Sequence, residues 1–180
     1  MKLKARFFSE LDIQTRVDWI NDFRINQNMS FNIPATYDKT LIWYKNNQKN
    51  NLRVDFSIIN EDEEVSAMAG LTPIDMKNLN AEFYIMVNPE MFSRGIGSRV
   101  TKWLCNYGFI ILGLNKIYLY TSDHNVAAYT IYEKLGFKLE GILRQQKYAE
   151  DNFQDRRFYG LLKKEWNDLN WQVKTIEYDF

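Results

Sequence analysis

The chain has 180 residues, 46% of them hydrophobic, which suits one well-buried domain and is short for two. Its 23 basic and 23 acidic residues balance to zero, so it carries no electrostatic footprint for DNA or RNA. A single cysteine, Cys105, rules out an internal disulfide and fits a reducing cytoplasm, and a single histidine, His124, leaves no material for a zinc site or a histidine triad.

The opening segment, MKLKARFFSELD, carries scattered charges and no apolar stretch of signal-peptide length. No run approaches the ~18 apolar residues of a membrane span. Val17, Ile20, Phe23 and Arg24 fall at helical spacing, and Leu41, Tyr44 and Lys45 predict a second helix beyond the loop that holds Pro34. Between them, NQNMSFNIPATYDK (26–39) reads as a polar loop with Met29, Phe31 and Tyr37 embedded in it. Such loops carry ligand contacts. FSII (56–59) and VSAMAGL (65–71) read as strands joined by the solvated turn NEDEE (60–64).

From residue 81 the pattern sharpens. Phe83, Ile85 and Val87 alternate on one face of a strand that ends at Asn88-Pro89-Glu90. Val100, Trp103, Leu104, Tyr107, Ile110 and Ile111 then form one stripe, which predicts a helix buried along that face. KIYLYT (116–121) is the next strand, and NVAAYTIYEKL (125–135) a helix stopped by Gly136. FKLEGILR (137–144) and RRFYGLL (156–162) close the chain as an antiparallel pair around an Asp/Asn-containing turn. This order predicts an α+β fold: a single mixed, largely antiparallel sheet flanked by helices.

FSRGIGS (92–98) joins the strand at 81–87 to the helix that follows. Gly95 and Gly97 let the backbone bend and remove the Cβ atoms that would block a ligand. The helix start adds unpaired N–H groups and a positive dipole end. The combination suits a phosphate or pyrophosphate. It is not the dinucleotide fingerprint, because Val100 stands where a third glycine belongs, and no Gly-Lys-Ser/Thr P-loop occurs. Taken alone, the same residues make a tight strand-to-helix turn.

Three pieces in register are more specific: IMVNPEMFSRGIGS (85–98), NVAAYTIYEKLGF (125–137) and LEGILR (139–144). Together they resemble the GNAT superfamily of acetyl-CoA-dependent N-acetyltransferases. The resemblance reaches to about Trp166 and is weakest in the N-terminal third, which implies a domain at 1–166 followed by a tail, 167–180, that is a loosely packed end or a homodimer contact. It implies splayed central strands, acetyl-CoA as co-substrate, no metal, and direct attack by a primary amine in a ternary complex. Ile85, Met86 and Val87 match the splayed strand whose backbone bonds the pantetheine arm. Ser93, Arg94, Gly95, Ile96, Gly97 and Ser98 match the pyrophosphate loop. Phe92 departs from the family's usual Gln or Arg, which a loop gripping through backbone N–H tolerates. Asn125 matches the residue that bonds the pantetheine, and Tyr132 the one that protonates the leaving thiolate. Read without the family, Asn125 is a helix cap and Tyr132 a core residue on the stripe Ala128, Ile131, Leu135. Cys105 reads as packing and His124 as a surface or capping residue.

For the general base, Glu82 is the leading carboxylate; an outward-facing strand charge and deprotonation through ordered water are the alternatives. Tyr120 stands where ribosomal-protein N-terminal acetyltransferases of the superfamily place a glutamate. The chain looks most like the spermidine/diamine and ribosomal-protein branch. A polyamine, however, wants several carboxylates, and residues 24–54 offer only Asp38. The expected acceptor is therefore a small or sugar-like amine, with Phe31 and Tyr37 lining its site; a polyamine, a protein N-terminus and a non-catalytic acetyl-CoA-binding module remain alternatives.

Overall fold

A computed structural model describes residues 2–29, 31–149 and 151–166. The N-terminal part runs β1 (Lys4–Phe7), α1 (Ile13–Asn21), α2 (Phe23–Asn26) and α3 (Tyr37–Asn47). Three strands follow, β2 (Val54–Ile59), β3 (Val65–Asp75) and β4 (Asn80–Val87), then α4 (Ile96–Asn106). The chain continues through β5 (Lys116–Ser122), α5 (Val126–Lys134), β6 (Lys138–Ala149) and β7 (Asn152–Leu162).

The seven strands form one sheet in the order β1-β2-β3-β4-β5-β7-β6. Every neighbouring pair is antiparallel except β4 with β5. Alternation along each strand sends side chains to two separate cores. Phe83, Ile117, Leu119 and Tyr159 meet α4 on one face, where Val100 and Leu104 supply the helix stripe. Met68 and Met86 turn to the other face and meet Ile13, Val17 and Trp19 of α1. Burying each such side chain contributes about 1.5–3 kcal/mol.

β4 and β5 pair at three positions, Asn80↔Lys116, Ala81↔Ile117 and Glu82↔Tyr118. Beyond Glu82 the two strands part. Each is held at its other edge: β4 pairs β3 as far as Ala67↔Val87, and β5 pairs β7 from Lys116 to Ser122. The expected splay is thus a property of the register.

Four expectations need correction. The stripe through Ile111 does not stay helical and buried: Tyr107–Ile111 winds as a wider turn, with the Leu112 N–H donating to the Tyr107 carbonyl. That shift carries Tyr107 and Phe109 inward and leaves Ile110 and Ile111 50% and 46% exposed. Gly108 permits it, since a Cβ there would lie 2.7 Å from Ile117 Cδ1. The last two strands run further toward their turn than apolar alternation shows, because bulges at Leu139/Gly141 and Leu143/Lys147 interrupt the alternation without ending the ladder. The loop at 26–39 is shorter than expected: Tyr37 already belongs to α3, whose start is capped by Thr36. Finally, β1 pairs β2 along Lys4–Phe7, an edge strand without a strong alternating signal.

At the far end, the Trp166 indole N–H donates to Asn106 Oδ1 at 2.6 Å and fastens the end of the described chain to α4. The segment 167–180 lies outside the described residues. No helix among the described residues is long and apolar enough to cross a membrane.

Candidate active site

The loop after β4 is built by two left-handed residues, Ser93 (φ 63°) and Gly95 (φ 74°). Gly95 caps α4, and the Arg99 N–H is the first to bond back, to the Gly95 carbonyl at 3.2 Å. Ile96, Gly97 and Ser98 therefore present N–H groups with no partner inside the helix, at its positive end. This is a cradle for a phosphate. The Ile96 side chain turns away into the core and anchors the turn, so its contribution to a ligand is its backbone. A Cβ on Gly97 would meet Ile131 Cδ1 at 3.6 Å and Val87 Cγ2 at 3.8 Å, which places α5 and the end of β4 against this turn. Arg94 and Ser93 are exposed on its rim.

The parted strands continue the site. The edge of β4 from Phe83 to Val87 that faces β5 has no strand partner, and a linear ligand with amide groups can complete it. Ile85, Met86 and Val87 lie on this stretch; the Met86 side chain is buried in the α1 core, so it too offers only backbone. Across the gap, Asn125 caps α5 through Oδ1, which accepts from the Ala128 N–H at 3.2 Å. Its NH2 group is left to donate. The two roles read for Asn125 are compatible.

Tyr132 sits on α5 among Phe83 and Phe137, ring centroids 6.0 and 5.7 Å away, and is 8% exposed. Its hydroxyl has no hydrogen-bond partner among the described residues. Burial, and secondarily the neighbouring Cys105, push its pKa above the ordinary tyrosine range. The group therefore keeps its proton at neutral pH and stands as a donor, not a base, toward an anion that forms beside it. Burial likewise raises the Cys105 thiol, which is inert packing in the core.

Glu82 stands at the last register pair before the strands part. Strand parity puts it, with Tyr84 and Met86, on the α1 side of the sheet, opposite Tyr132. Burial raises its pKa, and the Arg156 guanidinium opposes that rise. Beside it, Tyr118, Tyr120 and Phe158 form a ring cluster with centroids 5.0–6.0 Å apart. Arg156 lies 4.9 Å above the Tyr120 ring. On the other flank, the Tyr84 hydroxyl donates to Asp55, which Arg53 clamps with two bonds of 2.6 and 2.7 Å.

Phe31 and Tyr37 do not act as a pair. Phe31 is half-buried against the α1 core, and its ring centroid lies 5.6 Å from the Arg16 guanidinium. Tyr37 opens α3 40% exposed and joins no ring contact among the described residues. Arg16, Arg156, Tyr84, Tyr118 and Phe158 were missed from sequence. A signal existed for Arg16, which fills the i+3 place in the stripe Ile13, Val17, Ile20.

Residues 2–138 match the family model described as an acetyltransferase (GNAT) domain, and the chain belongs to that family. It is 33% identical over 98 residues to the spermidine N(1)-acetyltransferase of Escherichia coli K12, covering 54% of this chain and 53% of that protein. The chain thus spans about half the length of that relative. The Vibrio cholerae protein of the same name is 29% identical over 133 residues, 73% of this chain and 77% of its own length. The putative ribosomal N-acetyltransferase YdaF of Bacillus subtilis is 30% identical over 105 residues, 58% and 57% of the two chains. The crystal structure of the V. cholerae spermidine N-acetyltransferase in complex with CoA and spermine has the same fold, with a TM-score of 0.88 at 24% identity over 91% of this chain and 96% of that one.

Proposed function

We propose that the protein transfers the acetyl group of acetyl-CoA to a primary amine by direct attack in a ternary complex, with residues 1–166 as the catalytic domain, 167–180 as a tail, and the cytoplasm as its place of action. One observation carries this reading: an unpaired strand edge runs from an N–H-rich helix start to a gap flanked by a buried, protonated tyrosine on one face and a carboxylate on the other.

The residues divide the work. Acetyl-CoA supplies a thioester with an electrophilic carbonyl. Backbone N–H groups of Ile96, Gly97 and Ser98 hold the pyrophosphate, with the exposed Ser93 and Arg94 at the rim. The open edge of β4 holds the pantetheine arm, and its N–H groups are placed to stabilise charge on the carbonyl oxygen. Asn125 donates to the arm from α5. Glu82 accepts the proton of the attacking ammonium, directly or through water. As the C–N bond forms and the C–S bond breaks, Tyr132 gives its proton to the sulfur; the second proton of the nitrogen leaves through water and restores the Tyr132 hydroxyl.

The acceptor we propose is a small or sugar-like amine resting on the Tyr118, Tyr120 and Phe158 rings, with Phe31 on the opposite wall and Tyr37 at the outer margin. Relatives named for spermidine keep a polyamine in view. The charges around the gap favour the small amine, because Asp55 is already engaged by Arg53 and leaves Glu82 to face a polycation.

The test is an amine panel of amino sugars, amino acids, spermidine and N-terminal peptides with acetyl-CoA and thiol detection. Amino sugars or amino acids should release thiol. Acetyl-CoA at 100 times its dissociation constant should add about 2.7 kcal/mol of stability. Stabilisation without thiol release from any amine would point to a non-catalytic module, and efficient spermidine turnover would restore the polyamine.

A further inference from the structure

We infer that the acceptor carries an anionic group, a carboxylate or a phosphate, and that Arg156 receives it beside Glu82. This rests on the acetyl-transfer reading and names the chemical class of its second substrate.

Arg156 is fixed in place by the ladder, with Ser122 opposite it on β5 and Leu143 opposite it on β6. It shares a face with Phe158, and that face is the one carrying Tyr118, Tyr120 and Glu82. Its position is at the mouth of the gap, where β5 has left β4. The guanidinium is half-buried, lies over Tyr120, and feels Glu82 electrostatically. Among the described residues no carboxylate bonds it. Other arginines are treated differently: Arg157 bonds Asp123 at 2.6 Å and points to the other face, and Arg53 is clamped by Asp55.

A guanidinium offers five N–H donors in a planar fork, and leaving them unfilled while removing them from water is unfavourable. Stacking on one ring fills none of them. A carboxylate or phosphate fills two at once. Arg16 repeats the pattern more deeply. It is 5% exposed, its cation lies 4.3 Å from the Trp43 ring centroid, and its Nη1 has no hydrogen-bond partner. Arg16, Arg53 and Asp55 gather about the Tyr84 hydroxyl, and among the described residues Arg156 stands with Glu82 as its one carboxylate.

The reaction itself upsets this pairing. When Glu82 takes the proton of the ammonium it loses its charge, and among the described residues no other carboxylate then offsets Arg156. An anion on the acceptor compensates Arg156 at that moment. A polycation would add to the excess.

The test uses matched acceptors in two arms: glucosamine with glucosamine 6-phosphate, and β-alaninamide with β-alanine. Thiol release is followed for each, and each acceptor is titrated calorimetrically into the CoA-saturated protein. The anionic member of one arm should exceed its neutral twin by about 10- to 100-fold in kcat/KM, the scale of one charge-assisted hydrogen bond, and mainly through KM. The arm that shows this names the anion. Arg156→Met should erase the preference and leave the acetyl-CoA KM unchanged, and Arg156→Lys should keep part of it. Neutral twins or spermidine used as well as the anionic members, or a preference that survives Arg156→Met, would overturn the inference while thiol release upholds acetyl transfer. Arg156-dependent binding of an anionic amine without thiol release from any acceptor would overturn the transfer reading, and the acceptor assignment with it.

Discussion

Asp12 and Arg16 lie one helical turn apart and are both buried, yet their surroundings differ completely. Asp12 accepts from Arg6 on both oxygens at 2.5 and 2.6 Å, from the Ser9 amide at 2.9 Å and from the Ser57 hydroxyl at 2.8 Å. Burial works to raise the Asp12 carboxyl, and these donors together hold it below its ordinary value. Arg16, under Phe8, Phe31 and Trp43, has rings around it and an Nη1 without any bond. The same helix and the same sheet face can therefore satisfy a buried charge completely, and toward the gap they do not. Asp12 is closed within the protein, whereas Arg16 and, at the parted strands, Arg156 keep donors that a ligand can fill.

The largest effect expected from breaking the closed side is on stability. Asp12→Ala removes the buried acceptor that Arg6, Ser9 and Ser57 share and should cost about 3–5 kcal/mol in urea unfolding. The protein that remains folded should transfer acetyl groups at the normal rate per molecule. Because the folded-state pKa of Asp12 is depressed, its contribution is present above the unfolded-state value and is lost as pH falls through the folded one. The variant should accordingly lose that part of the acid dependence. A loss of turnover with unchanged stability would mean that Asp12 belongs to the site.

On the open side, Tyr132→Phe should cut kcat by roughly 10²-fold, the scale of a positioned proton donor, with acetyl-CoA affinity nearly unchanged. The hydroxyl has no hydrogen-bond partner among the described residues, so its removal should shift the melting temperature little. Wild-type turnover by the variant would reduce Tyr132 to core packing.

The smallest effect distinguishes Glu82 from Arg156. A carboxylate base must be ionised, so kcat/KM should fall as pH drops through the raised pKa of Glu82. Arg156→Met removes the cation that opposes this rise and should move the acid limb to higher pH. Glu82→Gln should lower the rate at neutral pH and remove that limb. An acid limb unmoved in both variants would assign the base role to water.

Much of this arrangement was legible beforehand, for physical reasons that can be located. Phe83, Ile85 and Val87 announced β4 because a strand against a core must alternate, and Gly95 was marked by a turn that needs a positive φ. The roles proposed for Tyr132 and Asn125 come from family spacing alone; nothing in periodicity separates a catalytic tyrosine from a packed one. The arginines stayed hidden for a different reason. Periodicity reports which positions must be dry, and Arg156 gains its meaning from lying beside Tyr120 across a ladder that joins residues far apart in sequence. The turn at Tyr107–Ile111 stayed hidden because its cause is a close approach of Gly108 to Ile117.

Three register pairs join a four-stranded half of the sheet to a three-stranded half. Unpaired strand edges are ordinarily a hazard, since a foreign chain can add to them and begin aggregation. Here two such edges are turned toward each other in the middle of the molecule, between layers that a foreign strand cannot pass. On the proposed function, a slender arm bearing amide bonds would enter here and add to β4 as a short surrogate strand. The interior of the sheet would thereby gain the selectivity of a β-augmentation site without the exposure that makes sheet margins dangerous.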